Sequence, residues 1–487
     1  MSRGSGLGAA GRWRLSGYRP LVAMAGPIAG IQLAQVALTT TDLVMMGSLS
    51  VGAIAAGGLA ILLYNQLRTM CVGTVTAVGN LVASAVGRGE IRTGAPAAQA
   101  GAGGLDEQTF AEVRGVGQAA LAVATLMGLL GAVLLVGLSW ALGWFGQDSG
   151  VVVLARPTML ALAPGLIPML WLNALRQFAV GMRRPGSLLG VTLASIVVNA
   201  ALDGGFAYGW FGLPILGLPG IGLATTLVQV ANVLAYLVIL RRDPQLAPLL
   251  SMRAWRADRA VVGRILRLGV PISLTYGSEA GITSVATLLM GAFGPVALAA
   301  HNVVNQLAYI VYQLNIGLSH GSSILVSRAI GQDDRPEAAR IARRALTLGG
   351  AAMTVLGLLY LSFPGLVLAP FLGQHNDPAV RAAAGTLLLF GVVQQFAKGA
   401  QNICVGLLRG LGNTTSAFRI TLLGYWVIGT PAMLLASHTL GWRGPGVWLG
   451  LCAGFGATAL LLWRRFHTDL TRTGSTVPTR PPLTGCG

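Results

Sequence analysis

Residues 20–47, PLVAMAGPIAGIQLAQVALTTTDLVMMG, form an apolar run with a single acid, Asp42, inside it. About 20 helical residues cross the roughly 30 Å of hydrocarbon in a bilayer, so the run is long enough to span one. A carboxylate inside such a span costs on the order of 2.5–3.5 kcal/mol by insertion scales. Chains keep one where an ion or proton pathway offsets the cost. The plainer alternative is an acid near the helix end that reaches the interface.

Outward from this run the whole chain has the same character. Of its 487 residues 54% are hydrophobic and only 10% charged, against about 25% charged in soluble domains. The class is therefore a polytopic helical membrane protein, with the lipid bilayer as its surroundings and 69 glycines suited to close helix packing. The formal charge of +18 does not point to nucleic acid, because the basic residues are scattered between apolar spans. Cys71, Cys404, Cys452 and Cys486 show no paired or metal-binding spacing, and three lie in apolar segments as small fillers. No Walker motif, nucleophile elbow or metal-ligand cluster is present, so no enzyme and no cofactor is expected. The first nineteen residues carry Arg3, Arg12, Arg14 and Arg19 without a cleavage pattern, and read as a cytoplasmic leader.

Apolar segments fall near 20–46, 52–86, 114–138, 152–182, 186–206, 218–240, 262–290, 295–328, 338–362, 379–408, 415–436 and 443–463. Pro27, Pro164, Pro168 and Pro271 lie within them and are kink sites. Basic residues collect in alternate connections, at Arg88 and Arg92, Arg183 and Arg184, the run from Arg241 to Arg264, Arg335 to Arg344, and Arg409 and Arg419. The intervening connections hold almost none, Arg443 excepted. Cytoplasmic loops carry the Lys/Arg excess, which predicts twelve spans with both termini on the cytoplasmic side of the plasma (inner) membrane.

An internal repeat organises these spans. A shift of 244 residues places Pro27 on Pro271, Ala56 on Ala300 and Gly87 on Gly331, and sets MMGSLSVGAIAA over LMGAFGPVALAA. Later the offset is about 225, where FAVGMRRPG (178–186) matches ICVGLLRGLG (403–412). The longer Gly/Ala-rich loop 88–113 takes up the difference and is expected to be mobile. Each half holds six spans, an even number, so the repeat is parallel. Repeats around a central site mark alternating-access transporters. The divisions are a basic leader 1–19, a first lobe 20–240, a cytoplasmic linker 241–261, a second lobe 262–463 and a cytoplasmic tail 464–487.

PIAGIQLAQ and TDLVMMG in the first span, VGRG after the second, RLGVPI, GPVALAAHN and LLRGLGNT resemble the MATE family of multidrug and toxic-compound exporters. The resemblance covers nearly the whole chain. It implies two six-helix lobes of MATE/MOP type in a monomer, exporting organic cations or amphiphiles in exchange for protons or sodium. High Gly, Ala and Arg usage points to a GC-rich bacterial genome.

The charges inside the spans carry the functional expectations. Asn199 and Asp203 stand i and i+4 in SIVVNAALDGG and so share a helix face. Two carboxylates close together in low dielectric share a proton more readily than both ionise; the plainer reading has Asp203 capping a helix end in water. Together with Asp42 and Thr225 these residues resemble the proton- or cation-binding cluster of DinF-like members, with sodium at the same four residues as the alternative. Glu279, in the seventh span, matches an acid of NorM-like members. Where those members carry a second acid this sequence has Lys398, which argues against sodium in the second lobe and for a Glu279–Lys398 pair. Gln35, Tyr64, Asn65, Arg68, His301 and Asn302 are candidate cavity-lining groups. The function expected is proton-coupled multidrug antiport. Sodium coupling is one alternative; a flippase for lipid-linked precursors or polysaccharide, suggested by Arg68 and Lys398, is another.

Overall fold

The computed structural model describes residues 17–47, 49, 51–94, 105–145, 149–372 and 377–472. Most of the expected leader, the centre of loop 88–113, the end of the tail and Cys486 lie outside the described residues. Twelve long helical segments carry the described chain. The first half comprises α1 (Arg19–Gly47), α2 (Val51–Thr93), α3 (Glu107–Ala141), α4 (Ser149–Gly181), α5 (Leu189–Tyr208) and α6 (Leu218–Arg242). The second comprises α7 (Arg259–Ala292), α8 (Pro295–Gly331), α9 (Arg335–Ser362), α10 (Pro378–Gly410), α11 (Thr414–Thr439) and α12 (Arg443–Arg472).

Local chemistry sets several of these boundaries. Asp258, Asp334 and Asp377 accept hydrogen bonds at 2.8 Å from the backbone N–H groups of Ala260, Glu337 and Ala379, capping α7, α9 and α10. Asn413 caps α11 through Ser416 at 3.2 Å. Pro27 and Pro271 sit inside continuous helices. Pro164 falls in a 3₁₀ turn, Ala163–Gly165, that breaks α4. In α11 the backbone widens to π-helix over Leu423–Gly429 and Leu435–Thr439, a feature that no residue pattern had suggested.

The repeat is visible in where helices begin. Val51 and Pro295 open α2 and α8, 244 residues apart, and Leu189 and Thr414 open α5 and α11, 225 apart. Ten of the twelve segments are long and apolar enough to cross a membrane by length and composition. The other two, α7 and α8, are more polar because they face the first lobe across the molecular centre.

One apolar core fills the first lobe and reaches Ile265 at the start of α7, and a second, around Met290, Tyr425 and Trp448, fills the far part of the second lobe. A third joins both halves at the end where the described chain begins and ends, packing Leu21, Ile28 and Ala83 with Leu325, Leu407 and Phe466. At this end glycines let the backbones touch. A Cβ on Gly269 would overlap the Thr74 carbonyl, one on Gly87 the Arg328 carbonyl, and one on Gly317 would press on Ala25 and Ala29. Asn80 of α2 donates to the Ser323 and Ser327 hydroxyls of α8, both at 2.8 Å. Glu90 of α2 forms a buried ion pair with Arg328 of α8 and accepts from Gln332 at 2.7 Å. The same helices part at the opposite end, where Thr40, Thr69, Gln306 and Tyr309 are exposed around a central cavity of about 380 Å³. Exposed Trp140, Trp144, Trp210 and Trp442 ring that open end, as aromatic side chains do at a membrane interface.

Candidate coupling site and central cavity

α1, α5 and α6 bring Asp42, Asn199, Asp203 and Thr225 together. The Asn199 side-chain amide donates to Asp42 Oδ1 at 2.5 Å and to Asp203 Oδ2 at 2.7 Å. Thr225 Oγ1 lies 3.4 Å from Asp42 Oδ2 and donates also to the Ile221 carbonyl at 3.1 Å. All four residues are buried, Asn199 and Asp203 completely. Asp203 therefore does not cap a water-facing end: α5 continues to Tyr208, and Trp210 and Leu213 close against Gly204 and Gly205.

Neither carboxylate has an ion-pair partner among the described residues. Asp203 Oδ1 and Asn199 Oδ1 have no hydrogen-bond partner. Buried polar oxygens of this kind want a donor or a cation. No cluster of three or more acid, His or Cys ligands occurs among the described residues, so a small ion here would rest on two carboxylates and neutral oxygens. A cavity of about 50 Å³ borders Asp42, and Gln35, Tyr64, Asn65 and Arg68 line it. Gln35, Asn65 and Arg68 also line the larger central cavity, so the two adjoin.

In the second lobe Lys398 Nζ lies 3.2 Å from Glu279 Oε1. Tyr312 donates to Glu279 Oε2 at 3.4 Å, and its ring lies 4.4 Å beneath the Lys398 ammonium. Charge, hydrogen bond and π-face hold both ions inside the lobe. Removing one member of a buried pair costs about 3–5 kcal/mol, whereas replacing both by apolar groups is often neutral. Lys398→Met is thus expected to lower the thermal unfolding midpoint markedly, and the Glu279→Leu/Lys398→Met double variant to recover most of it. A single variant as stable as the parent would show that the pair contributes nothing.

His301 and Asn302 do not line either cavity. His301 is buried, 3.2 Å from the Thr287 hydroxyl and edge-on to Trp448 at 5.6 Å. Asn302 is exposed one step round the helix. Arg409, which reads as a loop charge, is buried between α8 and α10 against Ser319 and His320, at 3.2 and 3.4 Å. Sequence reasoning missed Arg176, buried in α4, as well as the Glu90–Arg328 pair. An arginine within the apolar segment 152–182 was the available signal for the first. For the second no local signal exists.

Two lobes that touch at one end and part at the other, around a polar cavity, form a membrane carrier of the alternating-access class. A solved outward-facing conformation of a multidrug resistance MATE family transporter of the MOP superfamily has this fold, with a TM-score of 0.83, covering 94% of this chain and 97% of that one at 16% identity. The chain belongs to the MatE family, whose model matches residues 107–203 and 271–435. It is 36% identical over 459 residues to the "Probable multidrug resistance protein NorM" of Pseudomonas aeruginosa, covering 93% of this chain and 90% of the relative. A relative of the same name from Rhizobium meliloti is 33% identical over 454 residues, 92% of this chain and 93% of its own length.

Proposed function

We propose that this chain exports organic amphiphiles across the plasma membrane in exchange for protons taken up at the Asp42–Asp203 cluster. The observation that carries this reading is two hydrogen-bonded carboxylates, buried without a counter-ion beside a cavity open at one end. Basic connections and both described chain ends lie at the closed end. With that end cytoplasmic by the positive-inside rule, the conformation is outward-facing and the acids are reached from outside.

Protonation there weakens the hold on a cationic group and frees the substrate. The lobes then rock, the outer end closes, and the proton leaves to the cytoplasm. One charge moving through 100 mV supplies about 2.3 kcal/mol. Among the described residues the Glu279–Lys398 pair leaves no uncompensated carboxylate within the spans of the second lobe, so coupling rests on the first. The four first-lobe positions support a likeness to DinF-like members within a chain whose matched relatives are NorM proteins.

Sodium is the competing ion, because the same oxygens suit a hard cation. Proteoliposomes given a pH jump at constant sodium are expected to move a fluorescent substrate, and a sodium jump at constant pH is expected to move none. The reverse result would transfer coupling to sodium.

A further inference from the structure

The central cavity holds cations that proton exchange does not use. Arg176 lines it from α4 and is only 5% exposed. Its guanidinium reaches Gln32 Oε1 at 3.5 Å and forms no ion pair with an acid among the described residues. Arg68 lines the same wall from α2, its Nε donating to Asn65 Oδ1 at 3.1 Å. No Asp or Glu lines this cavity. A buried guanidinium with unfilled donors is costly, and its planar fork matches carboxylate and other oxyanions. Facing it from the second lobe are Tyr276, Tyr309 and Tyr312, the last two stacked at 6.4 Å. One wall is thus cationic and the other aromatic.

Charge logic narrows the occupant. A purely anionic compound would bind better when Asp42 is protonated, which is the wrong sign for exchange. A purely cationic one would meet Arg176 and Arg68 as like charges. We infer that Arg176, with Arg68, is an anion subsite that docks the acidic group, such as a carboxylate or sulfonate, of an aromatic substrate. A cationic group on such a substrate faces Asp42 in the adjoining cavity and competes with the proton. The acidic group docks on Arg176 and adds affinity without touching the coupling. This inference rests on the proposed export function and assigns a subsite within its cavity.

Rhodamine 110, which has a free carboxylate, and its methyl ester, rhodamine 123, share one ring system and separate the two charges. Fluorescence anisotropy on the purified full chain is expected to give a Kd for rhodamine 110 about tenfold below that of the ester, the scale of a charge-assisted hydrogen bond. Arg176→Gln is expected to bring the ratio to about one, Arg176→Lys to keep part of it, and Arg68→Gln to lower it. The Arg68 variant carries the test should Arg176→Gln fail to fold. No preference in the parent chain, a preference for the ester, no binding of either dye, or a ratio unchanged in both glutamine variants would each overturn the subsite. Transport of rhodamine 110 is scored separately. Normal discrimination in binding without pH-driven transport would sink the exchange reading and leave the subsite standing.

Discussion

Asp42→Asn is expected to abolish proton-driven export while leaving a folded protein. An amide has nearly the shape of the carboxylate, and its oxygen still accepts from Asn199, which now bonds Asp42 at 2.5 Å. Thr225 keeps its other partner, the Ile221 carbonyl. What disappears is one of the two carboxylates that share the proton, the one bordering the cavity. Accumulation against 100 mV should fall by about fiftyfold, the value of one charge moved through that potential. A drug-susceptibility panel in a pump-deficient strain reads this directly, with proteoliposome transport under a pH gradient as the quantitative form. Equal resistance from parent and variant would refute the assignment of coupling to the first lobe.

The second large effect concerns the closed end. Glu90 and Arg328 are paired there across the two lobes, with side chains only 6% and 5% exposed. Gln332 adds a hydrogen bond at 2.7 Å. Arg183, in the turn after α4, lies close enough that Arg328 adds to burial in lowering its affinity for a proton. Glu90→Gln would leave the guanidinium of Arg328 buried without an anion, at a cost of about 3–5 kcal/mol. Opening this end hydrates that group, so the variant favours the state open here, by roughly a hundredfold or more in population. A cysteine at Ala83, which is fully buried in the shared core, reports it in a background with the native cysteines replaced. Its labelling by a membrane-impermeant maleimide added on the side of the closed end should accelerate at least tenfold. Unchanged protection would mean that apolar packing alone holds the end shut. Glu90→Leu/Arg328→Met removes both charges and should restore much of the protection.

Much of this molecule was legible in residue order, and the limits were physical. Span number followed from apolar run length, which the bilayer sets. Asn199 and Asp203 announced themselves by helical spacing. The Glu279–Lys398 contact followed from the cost of leaving either ion alone, although the two lie in different spans. Contacts between the lobes were a different matter. Glu90 and Arg328 are 238 positions apart and Asn80 and Ser323 are 243 apart; the 244-residue repeat makes α2 and α8 equivalent helices, but a repeat does not say that its equivalent helices meet. His301 carries no pattern that separates a cavity-lining role from a packing one, and the fold packs its ring against Trp448. Arg176 was hidden among hydrophobic neighbours, and only the three-dimensional surroundings show that no acid accompanies it.

The glycine-lined seam at the closed end also has a kinetic consequence. It is a line of backbone contacts at Gly87, Gly269 and Gly317, not a hinge with a flexible joint. Dispersion attraction fades within about an ångström of separation, so a half-parted seam keeps almost none of it. Intermediate openings are then poorly populated, and the lobes spend their time at two endpoints. Single-molecule distance traces across the seam should show two discrete levels with abrupt jumps, not a continuum of angles.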